Sequence, residues 1–249
     1  MQTQADLDAR QAAADAKLAA KALEPETEWK RACSASSIGV ARATLRQMAG
    51  RRERCMYCVD SHGSDIEHFW PKALYPKRMF RWPNLLLCCT ECGRFKGKKF
   101  PVDDNGEPLL VDPAAEDPWL HLDFDPVTGN LVARFDRNTN AWSSKGQVTV
   151  ETLRLDRREA VAAGYRKTLK RLAHIVENAL AEESTSRESF IEQLFGADDH
   201  GLLGWCVFGT GSSELPFDKL RAHRPDLWQR LEQAVQNGPL DPPDIDRVG

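Results

Sequence analysis

A chain of 249 residues with 41% hydrophobic and 29% charged content has the make-up of an ordinary soluble globular protein, long enough for one sizeable core or two modest ones. The longest apolar run, LLLCC at Leu85–Cys89, is far short of a membrane span, and the alanine-rich N-terminus has no basic stretch leading into an apolar one, so the expected location is cytoplasmic. The net charge of −3 gives no overall attraction to nucleic acid, yet Lys72, Lys77, Arg78, Arg81, Arg94, Lys96, Lys98 and Lys99 crowd into one short region that suits phosphate.

Residues 4–24 are rich in Ala, Leu, Lys and Gln, with Leu7, Ala14, Leu18 and Ala22 on one helical face. So little apolar mass predicts a helix solvated at the edge of the fold. Pro25 ends it, and Ser37 is positioned to cap a second helix whose stripe is Val40, Leu45 and Met48 and which Gly50 stops. The basic run Arg51, Arg52 and Arg54 then reads equally as a solvated linker or as a phosphate contact.

Beyond residue 100 the pattern is mixed. Leu109–Val111 and His121–Phe124 are strand candidates, and a turn at Thr128–Gly129 precedes the alternation of Leu131, Ala133 and Phe135, which predicts a small hairpin. From Val148 onward the spacing is helical, with a break expected at Leu155 where Asp156 and Glu159 form a capping-box pattern. Ser184 or Thr185 should start a further helix, Gly201–Pro216 reads as a half-buried loop, and Phe217–Gln236 as helix before a frayed Pro- and Asp-rich tail. The tryptophans read as core or interface anchors, and His121, His174, His200 and His223 lack ligand-like spacing.

Chemistry concentrates between Cys55 and Lys99. Seven cysteines without a secretion signal point to metal binding or catalysis, and five of them lie in this stretch. Cys55 and Cys58, then Cys89 and Cys92, form two CxxC pairs, a set that suits a tetrahedral structural zinc. Cys88 offers a competing register that the CxxC spacing disfavours, and Cys33 and Cys206 read as core thiols. Between the pairs, SDIEHFWP alternates like a short strand, which sends Glu67 and His68 to opposite faces. Asn84 follows Trp82-Pro83 and can turn the chain by bonding its own backbone, and TECGRFKGKK reads as a short basic helix with Thr90 as its cap.

The order CxxC, Glu-His, Asn-Leu, CxxC and basic helix resembles the HNH endonucleases of the ββα-metal group with an added zinc knuckle. More narrowly, IEHFWPK, Tyr75-Pro76, WPNLLLCCTEC, RFKGKKFP, LLVDP and TVETLRLDR resemble the PtuB-like HNH subunit of Septu-type antiphage defence systems, also found beside some retrons. The resemblance covers about residues 50–170 and is most specific in the cysteine-rich module.

That resemblance implies an α+β, mostly helical fold with a zinc-knuckle HNH module at 51–112 between helical regions at 1–50 and 113–249. It implies DNA hydrolysis with His68 as general base, Glu67 as ligand to a catalytic Mg²⁺ or Mn²⁺, and Asn84 as the residue that braces the loop and orients the base. Arg94 and Lys96, with Lys72, Lys98 and Lys99, would meet the phosphate backbone, and the implied partner is an ABC-type ATPase bound through the helical regions. The chain departs from the family at Gly93, where Asn or His usually supplies a second metal ligand. Asp60, His62, Asp65 or Glu91 would have to substitute, or waters and substrate phosphates would complete the ion, or cleavage would be impaired. The last case makes the chain a zinc-stabilised nucleic-acid-binding or assembly subunit.

Overall fold

A computed structural model describes residues 2–182, 184 and 186–237. The chain divides into two units, one of residues 1–118 with Ser144–Leu155 and the other of Trp119–Ser143 with the chain from Asp156 onward. Residues 1–50 therefore share a unit with the cysteine-rich module.

In the first unit, helices α1 (Gln2–Ala19), α2 (Pro25–Ala32) and α3 (Ser36–Met48) pack on the segment that follows the Glu-His pair. Their core joins Leu7, Ala14, Trp29, Ile38, Ala41 and Leu45 to Met79, Phe80, Leu85 and Leu87. The N-terminal helix is thus anchored rather than solvated, because the buried Gln11 adds specific bonds where alanine offers little area: its side chain donates to the Pro76 carbonyl at 3.0 Å and accepts from the Phe80 amide at 2.7 Å. Pro25 does not only end a helix. It begins α2, since a ring without N–H costs nothing in a first turn. Ser37 lies inside α3, whose cap is Ala35, and the buried stripe is Ile38, Ala41 and Leu45, leaving Val40 and Met48 in solvent.

The module itself is a strand pair and a helix. Strand β1 (Asp65–His68) runs antiparallel to β2 (Leu85–Cys88) with Glu67 opposite Leu86 and His68 opposite Leu85. Helix α4 (Thr90–Lys96) follows at once, capped by Cys89, whose sulfur accepts from the Cys92 amide at 3.4 Å, so Thr90 is the first helical residue and not the cap. Leu109–Val111 forms no strand. Leu110 and Val111 are buried instead, the Val111 amide donating to Thr149 Oγ1 at 2.9 Å on α5 (Ser144–Leu153).

The second unit holds the expected hairpin, β3 (Leu122–Phe124) with β4 (Leu131–Ala133). Its turn needs Gly129, whose φ is +82° and whose missing Cβ would stand 2.4 Å from the Ala162 carbonyl oxygen. A second ribbon, β5 (Phe135–Asp136) with β6 (Ala141–Trp142), was not expected and leaves Phe135 and Trp142 exposed. The helical break falls at the expected place, but α6 (Glu159–Ala181) starts after Arg158 and Asp156 caps nothing. Ser186 caps α7 (Arg187–Ala197); of the two starts expected, Ser184 lies in a turn and Thr185 lies outside the described residues, as does the tail beyond Asn237. The glycine-punctuated stretch contains a buried helix, α8 (Leu202–Phe208), because LLGWCVF carries enough apolar area to be buried nearly all round, and Trp205 and Cys206 sit at its centre. Helices α9 (Phe217–His223) and α10 (Pro225–Asn237), divided by Pro225, complete the unit. Cys33 is exposed, whereas Cys206 is a core thiol. Among the described residues no helix is long and apolar enough to cross a membrane.

Candidate metal and nuclease site

The four CxxC sulfurs converge. Cys55, Cys58, Cys89 and Cys92 are buried and their ligand atoms all lie within 4.8 Å of one another, with Cys58 Sγ and Cys89 Sγ 4.0 Å apart. Sulfurs at the corners of a zinc tetrahedron with Zn–S bonds near 2.3 Å stand roughly 3.8 Å apart, so the set fits the ion with little movement. Backbone bonds build the first knuckle: the Val59 amide returns to the Cys55 carbonyl at 2.9 Å, and Met56 donates to Leu87 on β2 at 2.9 Å. A hydrogen bond with Cys55 lowers the Cys58 thiol to about 6 while bonds to the other sulfurs raise Cys92, so the four share protons that a bound cation would displace. Cys88 lies beside the group but outside it: its thiol bonds to Cys55 and donates to the Cys89 carbonyl at 3.3 Å, while Cys89 joins the four converging sulfurs, which resolves the register in favour of Cys89.

His68 is 2% exposed, and its Nε2 lies 3.0 Å from the Met79 carbonyl oxygen. A carbonyl can only accept, so Nε2 carries the proton and Nδ1 is left as the lone-pair atom. The Trp29 ring meets the imidazole edge-on at 4.3 Å between centroids. Burial first, and then the charge of Lys72, lower the His68 pKa to about 3, so the ring is the neutral base at physiological pH.

Asn84, buried at the end of a 3-10 turn (Trp82–Asn84), bonds across the loop rather than to its own backbone. Its Oδ1 accepts from the Trp70 amide at 2.7 Å, while Nδ2 donates to the Trp70 and Arg78 carbonyls at 3.1 and 2.9 Å. These bonds tie the residues after His68 to the segment that supplies the Met79 carbonyl.

Glu67 keeps a side chain 22% exposed and is met from α4 by Lys96. Lys96 Nζ donates to Glu67 Oε1 at 3.0 Å and to the His68 carbonyl at 2.7 Å, and the Lys96 side chain is fully buried. Its expected place on a phosphate-binding face is therefore corrected: the short helix turns Lys96 inward while Arg94, Lys98 and Lys99 are exposed. Lys72 is half-buried and pairs with Glu26 at 3.1 Å. The other oxygen, Glu67 Oε2, lies 3.5 Å from where a Cβ on Gly93 would stand, and Cys88 Sγ lies 3.9 Å from the same point. Glu67 thus has an oxygen facing Gly93 with room for a Cβ between them, and the position at which the resemblance expects a second ligand holds no donor atom. Among the described residues no Asp, Glu or His joins Glu67 in a group of three potential ligands; Asp65 bonds Ser64 and Thr90, and His62 faces Glu53. A single carboxylate is a sparse but acceptable protein share for Mg²⁺, which keeps several waters and takes substrate oxygens.

Gln11, Trp29 and the Met79 carbonyl were not found from the sequence. The one available signal was Gln11 at the i, i+4, i+7 spacing with Leu7 and Ala14.

No protein-family model matches the chain, and no solved structure does. The chain is 28% identical over 137 residues to the Septu protein PtuB of Bacillus thuringiensis, covering 50% of this chain and 48% of that one. It is 31% identical over 137 residues to the Septu protein PtuB of Bacillus mycoides, covering 43% and 44%. This chain is similar to PtuB over about half its length. It spans about half the length of the PtuB proteins it matches. It is also 27% identical over 188 residues to the Septu protein PtuA of Bacillus mycoides, a match that takes in 66% of this chain and 24% of the PtuA chain.

Proposed function

We propose that this chain is an HNH endonuclease that hydrolyses DNA as the PtuB-like member of a Septu antiphage defence assembly, with a PtuA-like ABC-type ATPase as partner. The observation that carries the reading is the β1–β2–α4 unit, which sets Glu67 and His68 side by side on one strand with the Nε2 proton of His68 committed to Met79. That commitment makes Nδ1 the basic atom. It takes the proton of an attacking water while the new phosphorus–oxygen bond forms and the bond to the leaving oxygen breaks. Asn84 holds the loop that fixes the ring, and Lys96 fixes the carboxylate. Held by Glu67, a Mg²⁺ or Mn²⁺ ion would offset charge on the scissile phosphate and the leaving oxygen. Zinc on the four cysteines would pin the first knuckle to the start of α4 and so hold β1 and β2 in place. The exposed Arg94, Lys98 and Lys99 supply affinity for a phosphate backbone without sequence choice. The similarity to a stretch of PtuA as well as to PtuB supports work alongside a PtuA-like chain.

The test is cleavage of phage or plasmid DNA by the chain with its partner in Mg²⁺ or Mn²⁺, comparing wild type with His68→Ala and Glu67→Gln. Loss of cutting in both variants with zinc content unchanged supports the reading; equal cutting in all three assigns the chemistry elsewhere. A second reading, a zinc-stabilised binding subunit without cleavage, is favoured by Gly93 and by the ammonium already on Glu67. It predicts tight DNA binding with no cutting in the wild type, and cutting that appears only in Gly93→Asn.

A further inference from the structure

Helix α4 brings two residues to Glu67, and neither is a ligand. Gly93 leaves open the space beside Oε2, while Lys96 holds Oε1 with a buried ammonium that also grips the His68 carbonyl. The ammonium cancels the carboxylate's charge, is fully buried, and is tied at two points, so it cannot swing into solvent when a cation approaches. A divalent ion arriving alone would find one neutralised carboxylate and a resident positive charge. Arriving with phosphate oxygens, it would find the missing negative charge and the missing ligands together.

From this we infer, building on the nuclease reading, that Lys96 and Gly93 make occupancy of the Glu67 ion site conditional on bound nucleic-acid phosphate: substrate brings the ion, and the site stays idle without it. By linkage, ion and DNA must raise each other's affinity by the same factor. Lys96 is thus a positioning residue that sets the order of assembly and touches no phosphate.

The experiment measures Mn²⁺ binding by electron paramagnetic resonance to the zinc-loaded full chain, with and without duplex DNA. A His68→Ala background keeps the DNA intact, and Glu67→Gln controls subtract ions bound elsewhere. Duplex should tighten the Glu67-dependent site by roughly tenfold or more, within the ordinary range of coupling. Lys96→Met should tighten DNA-free Mn²⁺ binding by a similar factor and shrink the effect of DNA. Gly93→Asp, whose Cβ would meet only ordinary contacts, should do the same should Lys96→Met lose its zinc. Equal Mn²⁺ affinity with and without duplex, or DNA-free affinity unchanged or lowered in the zinc-loaded variants, overturns the inference. Failure of the nuclease reading shows separately, as the expected Mn²⁺ pattern in a chain that leaves DNA uncut with its partner present. Failure of the gate alone shows as DNA cutting by a chain that holds Mn²⁺ equally well without DNA.

Discussion

His68 is held from three sides, by the Met79 carbonyl on Nε2, by the edge of Trp29 and by the Lys96 ammonium on its own carbonyl. Burial lowers its pKa to about 3, and the sign of the stability effect follows. Between the unfolded value near 6.5 and about 3 the unfolded chain binds a proton that the folded chain refuses, so stability is full above that window and is lost as pH falls through it. The slope is about 1.4 kcal/mol per pH unit for one such group. Thermal melting between pH 7 and 5 should show it, and His68→Gln should flatten it; an unchanged slope places the acid sensitivity elsewhere. Gln11 works one layer out, bonding Pro76 and Phe80 on either side of Met79. Gln11→Ala strands the buried Phe80 amide, while the Pro76 carbonyl keeps the Met79 amide at 3.2 Å, and should destabilise the chain by about 2 kcal/mol in denaturant unfolding. A loss within a few tenths of a kcal/mol contradicts that role. Glu67, His68 and Asn84 were marked by the family resemblance and not by spacing, whereas the four cysteines were legible from their spacing. Lys96 was not, because among Arg94, Lys98 and Lys99 nothing in the pattern marks the one base that turns inward.

The elements were legible where period and punctuation agreed, as in β1, α4, the β3–β4 hairpin and the break before α6. They misled where a residue has two uses: Pro25 opens a helix as readily as it ends one, and glycines flank a buried helix as readily as a loop. The capping of α4 by Cys89 had no propensity signal, since sulfur is a weak acceptor placed there by the knuckle. The two knuckles link chain segments 31 residues apart between Cys58 and Cys89. The protein should therefore carry about one zinc per chain, and Cys58→Ser should lose it and melt the first unit, while Cys88→Ser should keep it. Elemental analysis and melting of the two variants decide; zinc retained in Cys58→Ser contradicts the assignment.

The whole molecule has a small net negative charge and a local basic group at the end of α4, which is where the proposed nuclease function would bind DNA. Lys98→Ala and Lys99→Ala should weaken binding and each reduce the salt slope by about one, whereas Lys96→Met should leave the slope unchanged. A slope that falls in Lys96→Met as well would return that residue to the backbone-contacting set. The helices α1 to α3, expected as a solvated edge and a partner surface, build the core behind His68. The proposed hydrolysis turns on His68 Nδ1 as the base. Its most direct test is single-turnover cleavage of DNA by the complete complex with Mg²⁺. His68→Ala should lower the rate by about 10²–10⁴ with DNA affinity and zinc content unchanged, and cleavage at the wild-type rate in that variant would contradict the account.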